Sequence, residues 1–218
     1  MKNPEKHEWD HFWEKDKLHV SGNLSWSKRR ILGVIDPFLQ KGNKVLDADC
    51  GSGFFSKTFC GRGMETVSID YSDKALDITR EITAGRARVV KYDLESNNLA
   101  HILQDTFDVI FSDGLFEHFG ENGQDKVVKN FLSVLAPKGI IITFVPNRWS
   151  PWEIIRPFFM PGIEEIPFTL NGLTRLHQRN SLDVIEKGGV NTLPFRFSPD
   201  GFLGNYFGML LYTIAKQK

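Results

Sequence analysis

Lys44-Val45-Leu46-Asp47-Ala48-Asp49-Cys50-Gly51-Ser52-Gly53 is a short apolar run that breaks into a glycine-bearing turn, and a helical stretch from Phe54 to Cys60 follows it. Glycines between a strand and a helix let the backbone come close to a ligand, and the helix start offers unpaired N–H groups. Such a turn is also what a tight strand–helix connection needs, so its neighbours decide its meaning.

Working outward, the same rhythm repeats. Glu65 to Ile69 reads as a strand ending in Asp70, and Ser72 to Ile82 as a helix with Ser72 as N-cap. Arg88 to Tyr92 is a third strand, ending in Asp93, and Phe107 to Ser112 a fourth. Apolar residues at 127, 128, 131, 132 and 135 predict a helix over Asp125 to Leu135. Pro137-Lys138-Gly139 reads as a turn, and Ile140 to Val145 as a continuous apolar strand covered on both faces. Strands alternating with helices predict an α/β, Rossmann-like, doubly wound and mostly parallel sheet. Right-handed crossovers bring the strand carboxyl ends to one edge, where ligands bind.

The flanks are less regular. Residues 4 to 18 read as a helix with Trp9, Phe12 and Trp13 on one face, and Asn23 to Gln40 as a second helix disturbed by Pro37. Five prolines between 146 and 167 predict a lid-like loop. Thr169 to Arg179 reads as a capped helix with His177 facing solvent, and Ser181 to Glu186 and Tyr206 to Lys216 as the last strands. The expected organisation is one domain over 1–218: a helical cap (1–40), a ligand-binding core (41–145), a lid or acceptor region (146–180) and C-terminal strands (181–218).

Composition excludes several classes. The 27 basic and 27 acidic residues cancel, and no basic stripe appears, so a nucleic-acid partner is not expected. No apolar run approaches a bilayer span and the N-terminus is polar, so neither a membrane partner nor a signal peptide is expected. Two cysteines, Cys50 and Cys60, without metal spacing fit free thiols in a cytoplasmic protein, and no metal site is expected. Nothing in the sequence bears on oligomeric state.

Asp70 and Asp93 each end a strand. A carboxylate at the first position can hold ribose hydroxyls, and one at the second can accept an adenine amino proton. Each can equally serve as a cap or a turn, but together with the glycine turn they mark one ligand edge. In this order the motifs resemble those of the class I S-adenosylmethionine (SAM)-dependent methyltransferases, in particular the small-molecule branch of the ubiquinone and menaquinone type. The resemblance rests on Val45 to Gly53, on S-I-D-Y-S at 68 to 72, on K-Y-D-L at 91 to 94, on F-D-V-I-F-S-D-G-L-F-E-H-F at 107 to 119, and on L-A-P-K-G-I-I-I-T at 135 to 143.

The resemblance implies methyl transfer from SAM to a small-molecule acceptor with an oxygen, nitrogen or carbon nucleophile. It implies seven strands with an antiparallel C-terminal one. Asp47, Ala48, Asp49, Gly51 and Gly53 then line the methionine portion of SAM. Asp70 holds the ribose, Tyr71 packs on adenine, Asp93 and Leu94 meet the adenine edge, and Ser112 and Asp113 flank the sulfonium and amino group. His118, on the ligand edge with an ordinary pKa near ~6.5, is the candidate general base; Glu117-His118 can equally buttress the cofactor loop. Asp49 stands where the family usually has glycine, and weakened but retained SAM binding is expected from it. Two other readings stay open: an NAD(P)-dependent oxidoreductase, although the third glycine of the dinucleotide fingerprint is missing, and a non-catalytic SAM-binding module.

Overall fold

The computed structural model describes residues 24–159 and 165–218. The predicted helix at 4–18, with Trp9, Phe12 and Trp13, lies outside them.

Helix α1 (Trp26–Ile35) starts at Ser25, whose hydroxyl accepts the Lys28 N–H, and it runs into a 3-10 turn at Asp36–Phe38 where Pro37 ends it. The alternating units follow: β1 (Lys44–Ala48), α2 (Phe54–Gly61), β2 (Glu65–Asp70), α3 (Asp73–Thr83), β3 (Arg88–Lys91), α4 (Leu99–Leu103) and β4 (Phe107–Asp113). A 3-10 turn at Phe116–His118 leads to α5 (Glu121–Val134) and β5 (Leu135–Pro146). The chain closes with α6 (Trp152–Phe159), α7 (Leu170–Arg179), β6 (Leu182–Val190), α8 (Asp200–Phe207) and β7 (Leu210–Gln217).

The strands form one sheet in the order β3-β2-β1-β4-β5-β7-β6. Neighbours pair in parallel from β3 to β5, while β7 is antiparallel to both β5 and β6. This is the seven-stranded sheet with an antiparallel C-terminal strand that the resemblance implied. Each face has its own core: Ile31, Ile35, Phe55 and Phe59 pack with Phe111 and Phe144 on one, and Leu99, Val127, Phe131 and Leu176 with Leu46 and Ile110 on the other. Central strands are therefore apolar on both sides, as their continuous runs predicted.

Some elements differ from the prediction. Pro137 to Gly139 falls within β5, where the register against β4 slips between Phe107 and Val109, so the predicted turn is realised as a bulge. The proline-rich segment contains α6. Tyr206 and Phe207 end α8 rather than start a strand. That helix lies backbone to backbone on β6, since a β-carbon on Gly189 would come 2.0 Å from the Gly204 carbonyl oxygen. His177 is not solvent-facing. It falls four residues after Leu173 on the inner face of α7 and is buried edge-on against the Phe116 ring, and burial lowers its pKa to about 4. Among the described residues no helix is long and apolar enough to cross a membrane.

Candidate active site

The carboxyl ends of β1, β2 and β4 meet at one edge. The turn after β1 is held there by the Ile69 carbonyl, which accepts the N–H groups of Asp49 (2.9 Å) and Cys50 (3.0 Å). Asp49 takes the left-handed conformation (φ 65°), which Asp tolerates better than most residues. Gly53 (φ 68°) opens α2, and a β-carbon there would come 2.5 Å from Thr79 Oγ1 on α3, so only glycine fits.

Asp70 is the centre of this edge. Its Oδ2 accepts the Gly51 N–H (3.0 Å) and its Oδ1 the Ser72 N–H (2.8 Å), which fixes the carboxylate and ties β2 to the glycine turn. Ser72 in turn caps α3, its hydroxyl accepting from Ala75 N. Asp47 is buried, and its Oδ2 accepts from the Ser56 hydroxyl, which also contacts Ser68 Oγ (2.7 Å).

Two hollows lie along the edge. One, of about 190 Å³, is lined by Asp70, Tyr71, Tyr92, Asp93, Leu94, Leu115 and Phe119. The other, of about 240 Å³, is lined by Lys28, Asp47, Gly51, Ser52, Phe54, Phe55, Phe111, Asp113, Glu117 and Glu165. Asp49 and His118 line both, so the hollows are two halves of one cleft that meet at these two residues.

Of the site residues expected from sequence, Asp47, Asp49, Gly51, Asp70, Tyr71, Asp93, Leu94, Asp113 and His118 line this cleft. Ala48, Gly53 and Ser112 do not: Ala48 is buried in the core, Gly53 shapes the turn, and Ser112 lies inside the sheet with its hydroxyl unpartnered. Sequence reasoning missed Lys28, the aromatic wall of Phe54, Phe55 and Phe111, and Glu165. The residues around Glu165 arrive by a long-range pairing, in which Ile166 N–H donates to Glu117 O (2.8 Å) and Phe168 bridges to Asn147.

The larger half is strongly acidic. Burial raises Asp47 and Asp113 to about 7 each, with Lys28 pulling the latter back down. Burial also holds Glu117 well above the usual carboxylate range, and among the described residues Glu117 Oε2 is buried without a hydrogen-bond partner. Burial and the neighbouring Asp70 carboxylate raise Asp49. Ligand-type atoms of Glu117, His118 and Glu165 come within 4.8 Å of one another, a grouping the sequence did not suggest. Arg156 pairs with Glu165 (3.5 Å) and supplies positive charge there.

Comparison with known proteins points the same way. A family model described as a methyltransferase domain matches residues 45–139. The ubiquinone biosynthesis O-methyltransferase of Azoarcus sp. is 38% identical over 110 residues, which cover 49% of this chain and 46% of that protein. Its counterpart in Idiomarina loihiensis is 29% identical over 108 residues, covering 49% and 44%. The match thus spans less than half the length of these relatives. A SAM-dependent methyltransferase of Anabaena variabilis superposes with a TM-score of 0.71 at 19% identity, covering 100% of this chain and 98% of that one, and so shares the fold. The methyltransferase-domain match thus lies over β1 to the start of β5 of this sheet.

Proposed function

We propose that the protein transfers the methyl group of SAM to a hydroxyl oxygen of a small aromatic acceptor. The observation that carries this reading is the single cleft with two unlike halves joined at Asp49 and His118. One half has a fixed carboxylate beside Tyr71 and Tyr92, suited to a ribose and an aromatic base. The other buries acids with too few cations, among them an unpartnered Glu117 oxygen, and suits a ligand bearing ammonium and sulfonium groups. The residues therefore fit SAM. Asp70 holds the ribose diol and Asp93 and Leu94 meet adenine, while Asp47, Gly51 and Asp113 take the amino-acid end.

SAM supplies a methyl group already activated on sulfur. What remains for the protein is alignment, exclusion of water and removal of a proton. His118 stands at the junction of the halves, where the sulfur of an extended adenosyl ligand falls, and is positioned to take the acceptor's proton. Phe54, Phe55 and Phe111 line the same half and favour an aromatic acceptor; the hydroxyl as methylated group follows the names of the sequence relatives. Cys50 and Cys60 are both free, which accords with a cytoplasmic location.

The test has two arms. SAM and S-adenosylhomocysteine (SAH) should raise the melting temperature while NAD and NADP do not; the reverse would favour a nicotinamide enzyme. Turnover is then sought with a panel of phenols and catechols, and binding without any turnover would favour a non-catalytic module. His118→Ala should lower kcat about 100-fold with SAH affinity kept. Unchanged kcat would leave His118 a structural residue.

A further inference from the structure

We propose that Asp49 makes the cleft read the charge on the ligand's sulfur, so that the methyl donor is held more tightly than the demethylated product. This rests on the adenosyl reading above. In the transfer, the S–CH3 bond breaks, its electron pair stays on sulfur and the methyl carbon bonds to the acceptor. The donor is a sulfonium cation and the product a neutral thioether, and an acidic side chain beside the sulfur distinguishes them by Coulomb energy alone.

Asp49 is placed for this. It is one of two residues that line both halves of the cleft, so it stands where the nucleotide and amino-acid ends of an adenosyl ligand join. Its left-handed backbone (φ 65°) would be met with less strain by glycine, so the carboxyl group is carried at a conformational cost.

Its surroundings set where the proton sits. Both Asp70 oxygens already accept backbone N–H groups, from Gly51 and Ser72, which favours the charged form of Asp70. Burial raises both acids, and the Asp70 carboxylate beside Asp49 raises Asp49 further, so Asp49 is the proton holder of the pair. The other groups facing Asp49 are Asp47 from β1, Asp113 from β4, and Glu117 and His118 from the turn after β4. Lys28 of α1, Cys50 of the same loop and Glu165 complete the amino-acid half, and Tyr71, Tyr92, Asp93 and Glu95 the nucleotide half. Acids predominate, and the buried Glu117 oxygen without a partner is a second, independent sign that this half is short of positive charge. A sulfonium entering here displaces the Asp49 proton; a thioether does not.

Calorimetry of the whole chain with SAM and with SAH reads the effect directly. At pH 8 the wild type should bind SAM about tenfold more tightly than SAH, about 1.4 kcal/mol. Asp49→Asn keeps the size and tolerates the backbone, and Asp49→Gly removes the side chain; in both the ratio should fall below about threefold. Lowering the pH to 6 should narrow the wild-type ratio and leave that of the variants unchanged. In buffers of different ionisation enthalpy, SAM should release more protons than SAH from the wild type and not from the variants. The same SAM-to-SAH ratio in wild type and in Asp49→Asn overturns the proposal while leaving the adenosyl site intact. Binding of neither compound to the wild type overturns both.

Discussion

The cleft edge and the exposed faces beyond β5 are built in opposite ways. At the edge, Asp47, Asp70 and Glu117 are buried, where folding alone would favour apolar side chains. Around α6 and α8, Ile154, Phe158, Phe197 and Phe202 stand in solvent, from 76% to 88% exposed, where folding alone would favour polar ones. The buried acids cost folding stability, whereas the exposed apolar side chains cost little stability and favour association instead. They differ in how far they explain themselves. The buried acids line one cleft or its floor, and their charge accords with the cationic ligand proposed for it. Among the described residues, nothing covers these exposed apolar side chains.

The largest effect that could break this contrast lies at Asp70. Asp70→Asn loses a charged acceptor for Gly51 and Ser72 N–H as well as the proposed ribose contact, and SAH affinity should fall about 100-fold, about 2.7 kcal/mol, by titration calorimetry. Near-normal affinity would mean the buried acids are structural.

A smaller effect is the pH dependence of the ligand-free protein. Asp47 and Asp113 have folded pKa values of about 7, raised by burial above the unfolded value near 3.8. Their protonated forms stabilise the fold fully below pH ~4, and that contribution is lost as pH rises through about 7. His177, lowered to about 4, acts the other way, its contribution being lost as pH falls from 6.5 towards 4. Above pH ~6.5 only the acids titrate, so Tm should fall by about 5 °C between pH 6 and 8. Asp113→Asn should flatten the slope, and a Tm that rises over this range would contradict the burial of charge at the edge.

The smallest effect sharpens the other side. Ile154→Ser and Phe158→Ser remove side chains that are 76% and 83% exposed, and each should change unfolding free energy by less than about 0.5 kcal/mol in urea melts. A loss of several kcal/mol would show that α6 packs in solution against a surface it does not touch here.

Much of the cleft was legible because its parts obey local rules. Asp70 ends β2 and Asp93 follows β3 by two residues, and Ser72 and Thr169 cap the helices that follow them; each is set by neighbours a few positions away. The α6 helix was hidden by its prolines, and α8 by glycines that a local reading takes for loop.

The sequence by itself determined the five alternating strands from β1 to β5 and the identity of the acids that follow them, because strand and helix periods and capping chemistry are properties of adjacent residues. Only the tertiary structure decided that Asp49 and His118 join two hollows, that the segment carrying Glu165 comes back to Glu117 through the Ile166 N–H, and that His177 is enclosed. Those facts depend on which distant backbone groups satisfy one another when the sheet closes, and no short stretch of sequence carries that information.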